Sequence, residues 1–244
     1  MALFPVLLSF TAVLFSFFPA NGQDSFFDSL STSLPAIQTE IVDKHNECRR
    51  TVIPPATNMV KMAWSTEAAK RAQEWANKCT LQHSPEELRK ISTSGCGENL
   101  FMASYPATWT EAIDSWNDEK EDFIYGIGPK SPGAVIGHYT QVVWFSSALL
   151  GCGAAYCPNA RLQYYYVCRY CPAGNLQSKK HVPYINGTRC AACPNDCDNG
   201  LCTNSCIQED KYGNCKSLVG MLGCDHELTK NGCEADCQCQ NKIH

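Results

Sequence analysis

Residues 150–171, LGCGAAYCPNARLQYYYVCRYC, carry the clearest information about the fold. Two runs rich in aromatic and β-branched residues, Leu150 to Tyr156 and Leu162 to Arg169, are separated by a Pro-Asn turn signal. This pattern is typical of two neighbouring strands. Cys152 and Cys168 then fall on adjacent strands, where a cross-strand disulfide is allowed.

The sequence before these strands has helical spacing and several helix-start signals. Four helices are predicted, of which the first covers residues 37–53 and the second is capped by Ser65. The third is short and begins at a Ser84/Glu87 capping box, with Pro85 at its first position. The fourth runs from Thr108 to about Phe123 and begins at a Thr108/Glu111 capping box. Tyr139 to Phe145 has strand composition and adds a third predicted strand. Helices followed by a meander of strands indicate an α+β fold with helices packed over a sheet.

The cysteine content indicates an oxidising compartment. The chain has 17 cysteines in 244 residues, and ten of them fall between Cys190 and Cys239. Leu3 to Phe18 is almost wholly apolar, and Ala20-Asn21-Gly22 offers small residues for cleavage. Residues 1–22 are therefore predicted to be a signal peptide, because the run is shorter than the ~20 residues of a spanning helix. We expect a secreted, soluble chain with no transmembrane segment.

The composition changes after Gly174. Residues 175–189 are rich in Asn, Gln, Ser, Lys, Pro and Gly and are predicted to be a linker. The cysteine-dense region that follows has few apolar residues, so disulfides worth ~2–5 kcal/mol each must hold it together. The CxxC pairs Cys168/Cys171 and Cys190/Cys193 could be zinc knuckles or redox centres, but the compartment favours structural disulfides.

Charge excludes some classes of partner. The net charge is -4 and the sequence pI is about 5.9. The chain therefore has no electrostatic basis for binding nucleic acid, and no polybasic run suggests anionic lipid. Asn186-Gly187-Thr188 is a glycosylation sequon in a stretch typical of an exposed loop.

Four ionisable residues are candidates for a shared site. His83 follows the second helix, Glu98 sits beside Cys96, Glu119 continues the inward stripe of the fourth helix, and His138 precedes a predicted strand. Two imidazoles and two carboxylates could bind a divalent metal or share protons. Judged from spacing alone, it is commoner for four such residues to cap helices, form ion pairs or be merely exposed than to share a site.

Longer motifs then identify a family. Gly137-His138-Tyr139-Thr140-Gln141-Val142-Val143-Trp144 and Tyr166-Val167-Cys168-Arg169-Tyr170-Cys171-Pro172-Ala173-Gly174-Asn175 resemble the two signatures of the CAP superfamily. Cys96-Gly97-Glu98-Asn99-Leu100 fits them, and Gly200-Leu201-Cys202-Thr203-Asn204-Ser205-Cys206 resembles the cysteine-rich secretory proteins specifically. The resemblance covers about residues 37–244 and is strongest to mammalian testis and epididymal members.

The resemblance implies a domain plan and a disulfide pattern. Residues 37–174 would form a CAP domain with an α-β-α sandwich, residues 175–205 a linker and disulfide hinge, and residues 206–244 a small, mainly helical, toxin-like ion-channel-regulator domain. The implied pairs are Cys79–Cys157, Cys96–Cys171, Cys152–Cys168, Cys190–Cys197, Cys193–Cys202, Cys206–Cys239, Cys215–Cys233 and Cys224–Cys237.

The resemblance also assigns the four ionisable residues. His83, Glu98, Glu119 and His138 match the family's cleft tetrad, whose two histidines can bind zinc, with the glutamates nearby. Zinc is therefore the candidate cofactor. Cys48 departs from the family, which has an apolar residue there; a buried free thiol is favoured over an intermolecular disulfide.

Three function classes follow. The favoured one is a non-enzymatic, secreted glycoprotein of the male reproductive tract, acting in sperm maturation or sperm–egg interaction, whose C-terminal domain modulates cation channels. Its implied partners are cell-surface or channel proteins and the gamete surface, the expected state is a monomer, and a secretory granule or the acrosome is a candidate location. The segment Ala103-Ser104-Tyr105-Pro106-Ala107-Thr108 resembles one tied to egg binding.

The alternatives are a sterol- or lipid-binding CAP protein and a hydrolase that uses the His/Glu cleft. The hydrolase is disfavoured because the sequence has no Gly-x-Ser-x-Gly elbow and no His-Glu-x-x-His helix. Residues 206–244 carry more carboxylates than lysines, so gating is favoured over plugging of a cation pore. Lys211-Tyr212 resembles the lysine–aromatic pair of channel-blocking toxins, which is a weak signal on its own.

Overall fold

A four-stranded sheet organises the large domain. The computed structural model describes residues 21–244, so nearly all of the predicted signal peptide lies outside the described residues. Its strands are β1 (Ala63–Trp64), β2 (Gly97–Ala103), β5 (Leu149–Tyr156) and β6 (Tyr164–Cys171). They lie in the order β1-β5-β6-β2, with β1 parallel to β5 and the other pairs antiparallel.

Helices cover both faces of this sheet. The helices of the large domain are α1 (Asn21–Ser29), α2 (Pro35–Arg50), α3 (Thr66–Ala76), α4 (Trp109–Asp118) and α5 (Gly137–Val142), with 3-10 helices at Glu86–Leu88 and Glu119–Asp122 and a small hairpin of β3 (Phe123–Ile124) and β4 (Gly128–Pro129). Along β6, Tyr166 and Cys168 pack with α2 and α4, whereas Tyr165 and Val167 pack with α3. Neighbouring residues of a strand point to opposite faces of the sheet, so β6 contacts helices on both sides. This packing gives the expected three-layer α-β-α sandwich.

Two glycines allow α3 to lie unusually close to β5. A Cβ atom on Gly151 would lie 2.1 Å from the Ala69 backbone nitrogen, and one on Gly153 would lie 2.5 Å from the Gln73 Cα. No side chain fits there, so the glycines in this strand are required by packing.

Two predicted N-caps, Ser65 and Thr108, are confirmed, although the Glu111 carboxylate bonds to Tyr105 and does not complete the predicted capping box. The Ser65 side chain accepts a hydrogen bond from Ala68 N, and Thr108 accepts one from Glu111 N. The Ser84/Glu87 capping box is wrong: the structure has only a 3-10 turn there, without a side-chain cap. The α-helical part of the fourth helix ends at Asp118, and a 3-10 helix continues it to Asp122, close to the predicted end.

The strand predicted at Tyr139 to Phe145 is wrong as well. Residues 137–142 form α5, so His138 lies in the first turn of a helix rather than at the entry to a strand. Strand β2, which was not predicted, pairs along its whole length with β6.

The predicted linker is packed against the large domain. Tyr184 is only 1% exposed. Thr57 N donates to Ile185 O at 2.8 Å, and Phe145 N donates to Pro183 O at 2.9 Å. This segment is therefore a strap on the domain and not a free tether.

A disulfide-linked hairpin follows the strap. It consists of β7 (Cys197–Asp198) and β8 (Leu201–Cys202). Cys202 N donates to Met59 O, and Lys61 N donates to Cys202 O, both at 2.8 Å. The hairpin thus extends the backbone pairing of the large domain.

The C-terminal region is a small helical unit. It contains α6 (Cys215–Leu222), α7 (Glu227–Gly232) and α8 (Glu234–Gln238). All eight disulfides join the partners that the family resemblance implies, and Cys48 is a buried free cysteine. Among residues 21–244, no helix is both long and apolar enough to cross a membrane.

Candidate metal-binding cleft

Glu98 anchors the first half of the cleft. Its carboxylate is fully buried on β2, where Oε1 accepts from Ser84 N at 2.9 Å and lies 2.8 Å from His83 Nδ1. Its Oε2 accepts from Ser84 Oγ and from Arg169 Nη1, each at 2.9 Å. Burial opposes ionisation, but the hydrogen bond with His83, the charge of Arg169 and the two bonds from Ser84 hold the pKa of Glu98 below its usual range.

Glu119 anchors the second half. It begins the 3-10 helix after α4, and its Oε2 accepts from His138 N at 2.9 Å and from Tyr139 N at 3.0 Å. Its Oε1 lies 2.5 Å from His138 Nδ1. The carboxylate therefore satisfies backbone donors at the start of α5 and also orients the His138 ring.

The two halves present equivalent histidines. Each Nδ1 faces a carboxylate, which accepts hydrogen bonds, so in the neutral ring Nδ1 carries the proton and Nε2 has the lone pair. His83 and His138 line one cavity of about 730 Å³, and their side chains are 54% and 30% exposed. Carboxylate-oriented imidazoles of this kind are typical of zinc ligands.

Imidazole nitrogen and carboxylate oxygen are both donor types that zinc accepts. Within the described chain, no three of His83, Glu98, Glu119 and His138 have ligand atoms within 4.8 Å of one another. The glutamates are already committed to orienting the histidines. Two imidazole nitrogens would therefore hold the metal, and water or a ligand would complete its coordination.

A buried hydrogen-bond chain supports His138 from behind. His45 Nδ1 lies 2.8 Å from Ile41 O, so its protonated nitrogen is fixed, and Nε2 accepts from Tyr170 OH at 2.9 Å. Asn99 Nδ2 donates to that hydroxyl at 3.2 Å and to His138 O at 3.0 Å. This chain ties α2, β6 and β2 to the start of α5.

Two of these supporting residues, Ser84 and Arg169, were not predicted to belong to the site. Ser84 was assigned to a helix cap, although its hydroxyl lies between Glu98 and Arg169. Arg169 carried a signal that could have been used, because it is the charged residue in the otherwise uncharged run Tyr164–Cys171. A buried arginine in a central strand requires an acidic partner or many acceptors.

The egg-binding-like segment is partly structural. Ala103 and Ala107 are buried, and Thr108 caps α4. Ser104 and Tyr105 are exposed, and the Tyr105 hydroxyl donates to Glu111. Thr108 is exposed as well, so the exposed residues of this segment are Ser104, Tyr105 and Thr108.

Cys48 and Asn186 lie in contrasting environments. Cys48 is 5% exposed at the edge of a cavity of about 370 Å³, and burial raises the pKa of its thiol to about 11. The thiolate that reacts with oxidants and alkylating agents is thus scarce at neutral pH. Asn186 is exposed, as a glycosylation site requires.

The lysine–aromatic pair of the C-terminal region is held against the domain. Lys211 Nζ donates to Asn231 O at 2.6 Å. The Tyr212 ring lies over Gly232, where an added Cβ would come within 2.2 Å of it. Both side chains therefore contribute to packing of this unit.

Comparisons with known proteins agree with this architecture. The model for the CAP domain, described as the cysteine-rich secretory protein family, matches residues 42–170, and the Crisp model matches residues 190–244. Cysteine-rich secretory protein 2 of Homo sapiens is 59% identical over 245 residues, covering 100% of both chains. Cysteine-rich secretory protein 1 of Mus musculus is 52% identical, also over 100% of both.

Solved structures share the large domain. Na-ASP-1 matches with a TM-score of 0.58 and 31% identity over 68% of this chain and 46% of that one. NaASP2, solved with Zn2+, matches with a TM-score of 0.56 and 29% identity over 70% of this chain and 96% of that one. The full-length similarity, together with both domain matches, shows that the chain belongs to the cysteine-rich secretory protein family.

Proposed function

We propose that this chain is a secreted, extracellular binding and regulatory protein that acts in sperm maturation or sperm–egg interaction. Its cleft binds Zn2+ through His83 and His138, and its C-terminal region, residues 206–244, modulates cation channels. Full-length similarity to mammalian cysteine-rich secretory proteins supports the class, and eight disulfides suit an oxidising extracellular setting.

The observation that carries the zinc assignment is the matched pair of carboxylate–histidine contacts. Both Nε2 lone pairs are free for a metal, because Glu98 and Glu119 take the protonated Nδ1 atoms. A bound zinc ion would supply a Lewis acid that accepts a donor atom from a partner. Ser84, the serine inside the Glu98 network, is committed to that carboxylate and to Arg169, which favours binding over a serine-dependent reaction.

Calorimetry on single-histidine variants tests this assignment. Removal of either ligand should weaken zinc binding by tenfold or more, about 1.4 kcal/mol, because one of two protein ligands is lost. His83→Ala and His138→Ala are the test variants. His181→Ala is the matched control, since His181 is an exposed histidine outside the cavity.

The control should bind zinc as the unmodified protein does. Equal zinc affinity in the unmodified protein and both cleft variants would refute the site while leaving the family assignment intact.

The C-terminal region offers apolar rather than cationic contacts. Met221 is 72% exposed at the end of α6, and Leu222 and Leu228 are each 41% exposed. Lys211 is bonded to Asn231 O instead of projecting freely. We therefore assign channel contact to this apolar surface and expect a change in gating, not occlusion of the pore.

Patch-clamp recording with the full-length protein separates these mechanisms. Met221→Gln with Leu222→Gln should reduce the effect on the current, because polar side chains weaken an apolar contact. Lys211→Gln should retain the effect. Loss of activity in Lys211→Gln alone, with voltage-dependent block by the unmodified protein, would support pore plugging and contradict gating.

A further inference from the structure

A second cavity is lined in part by Arg169, the arginine that pairs with Glu98. It measures about 300 Å³ and is lined by residues of α3, of the 3-10 helix Glu86–Leu88, of strand β6 and of the turns that follow the two helices. It shares no lining residue with the histidine cavity. Its charged lining residues are Arg71, Glu74, Lys78, Glu87, Lys90 and Arg169.

Arg169 lines this cavity and has one unused hydrogen-bond donor. It is 1% exposed, and its Nη1 is engaged by Ser84 Oγ at 2.8 Å and Glu98 Oε2 at 2.9 Å. Its Nε is buried and has no hydrogen-bond partner. A buried guanidinium N–H without an acceptor is costly, and the Nε/Nη2 edge is the fork that binds two oxygens of one anion.

The surrounding charge favours an anion. Cations outnumber carboxylates in the lining, and they still do when Glu98, which pairs with Arg169, is counted with them. Glu74 lies 3.4 Å from Arg71 and is thus partly neutralised. Lys78 Nζ lies 5.0 Å from the centre of the Trp75 ring, which places the ammonium group at the edge of the pocket.

We propose that this pocket binds a tetrahedral oxyanion, a phosphate or sulfate group. Arg169 provides the fork at the base, and Lys78 and Lys90 approach from two other elements. A tetrahedral group presents separate oxygens to all three cations, whereas a carboxylate has only two oxygens. This site is independent of the zinc assignment.

Titration of the full-length protein with sodium sulfate and sodium phosphate tests the proposal. Sodium chloride at equal ionic strength is the control for screening. Calorimetry gives the affinity, and the NMR signal of the Arg169 Nε–H reports the position of the anion. We expect that signal to shift with sulfate and phosphate but not with chloride.

Charge variants localise the binding. Lys78→Gln combined with Lys90→Gln should weaken sulfate binding about tenfold, because two charge-assisted contacts are lost. The matched control is Lys70→Gln, which removes a charge from exposed α3 surface outside the pocket and should change binding less than twofold. All three lysines are exposed, so we expect their substitution to leave the fold intact. Arg169 itself is not substituted, because its loss could disturb Glu98.

Glucose 6-sulfate and glucose 6-phosphate distinguish the source of the anion. If the esters bind more tightly than the free ions, the ligand of this pocket is a phosphate or sulfate group carried by a larger molecule. If they bind more weakly, the ligand is the free ion. An unchanged Arg169 Nε–H signal, or equal sulfate affinity in the double variant and Lys70→Gln, would overturn the proposal.

Discussion

His45 shows how one buried side chain sets a pH dependence. Burial lowers its pKa to about 4; the hydrogen bond to Ile41 opposes this shift, and the charge of Arg49 adds to it. The folded state therefore keeps this ring neutral down to about pH 4, whereas the unfolded chain protonates it near ~6.5. Between these values the unfolded state binds more protons, so stability falls as pH falls.

We predict that His45 alone lowers the free energy of unfolding by about 3 kcal/mol between pH 7 and pH 4. Urea unfolding at several pH values gives the free energy of unfolding of the unmodified protein and of His45→Gln. The difference between the two slopes of this free energy against pH measures the contribution of His45. His181→Gln, at an exposed position, should leave the slope unchanged. Parallel curves for the unmodified protein and His45→Gln would contradict the prediction.

At the scale of elements, Arg49 joins three parts of the large domain. It is 1% exposed, and its side chain donates five hydrogen bonds of 2.7–3.0 Å to backbone carbonyls. The acceptors are Val60 before β1, Val142 at the end of α5, and Trp144 and Phe145 beyond it. Burial lowers its pKa to about 9, so the carbonyl cage must compensate for the lost hydration.

Arg49→Lys should lower the free energy of unfolding by about 3–5 kcal/mol, because one ammonium group cannot replace the fork and leaves buried carbonyls unpaired. Equilibrium denaturation measures the change. Arg50→Lys is the matched control: its Nε donates to Asn199 O at an exposed position, and its loss should be below about 1 kcal/mol. Similar losses in the two variants would show that the carbonyl cage contributes little.

The elements that sequence reasoning placed correctly are those with a local signal. The caps at Ser65 and Thr108 and the runs around Cys152 and Cys168 depend on neighbours in the chain. The segment at Tyr139 to Phe145 has strand composition, yet its first turn is helical because distant Glu119 accepts from the N–H groups of residues 138 and 139. That information is not local, and propensity could not supply it.

The site was only partly predictable for the same reason. Strand β2 begins Gly-Glu-Asn, residue types that are disfavoured in strands, so it was missed. Its register with β6 places Glu98 directly opposite Arg169. The motifs could nominate the four ionisable residues, but only the pairing of strands reveals the buried ion pair that fixes His83.

At the scale of the whole molecule, the strap and hairpin belong structurally to the large domain. Tyr125 OH donates to Tyr184 O at 2.6 Å, and Ile185 N donates to Asn58 Oδ1 at 2.8 Å. Farther along, the hairpin pairs with the backbone around Val60. The C-terminal unit meets this body more sparingly, for example where Gly95 N donates to Glu209 Oε2 at 2.7 Å.

We therefore predict that residues 23–205 fold stably without the C-terminal unit, whereas residues 23–174 do not reach the same stability. The shorter fragment should melt at least about 5 °C lower, because it uncovers apolar surface and leaves backbone groups near Thr57 and Phe145 unpaired. Thermal unfolding of both fragments and of the full chain measures this. Equal melting temperatures for the two fragments would show that the strap is dispensable.

The long span of two disulfides has a consequence for biosynthesis. Cys79 and Cys96 precede their partners, Cys157 and Cys171, by 78 and 75 residues. At about 5–20 residues per second, both thiols wait several seconds for those partners to be synthesised. Throughout that interval each is the other's nearest available partner, and Glu98 has no Arg169 to meet. The cleft is thus among the last features of the large domain to form, and a chaperone or isomerase that keeps Cys79 and Cys96 apart would raise the yield of correctly paired protein.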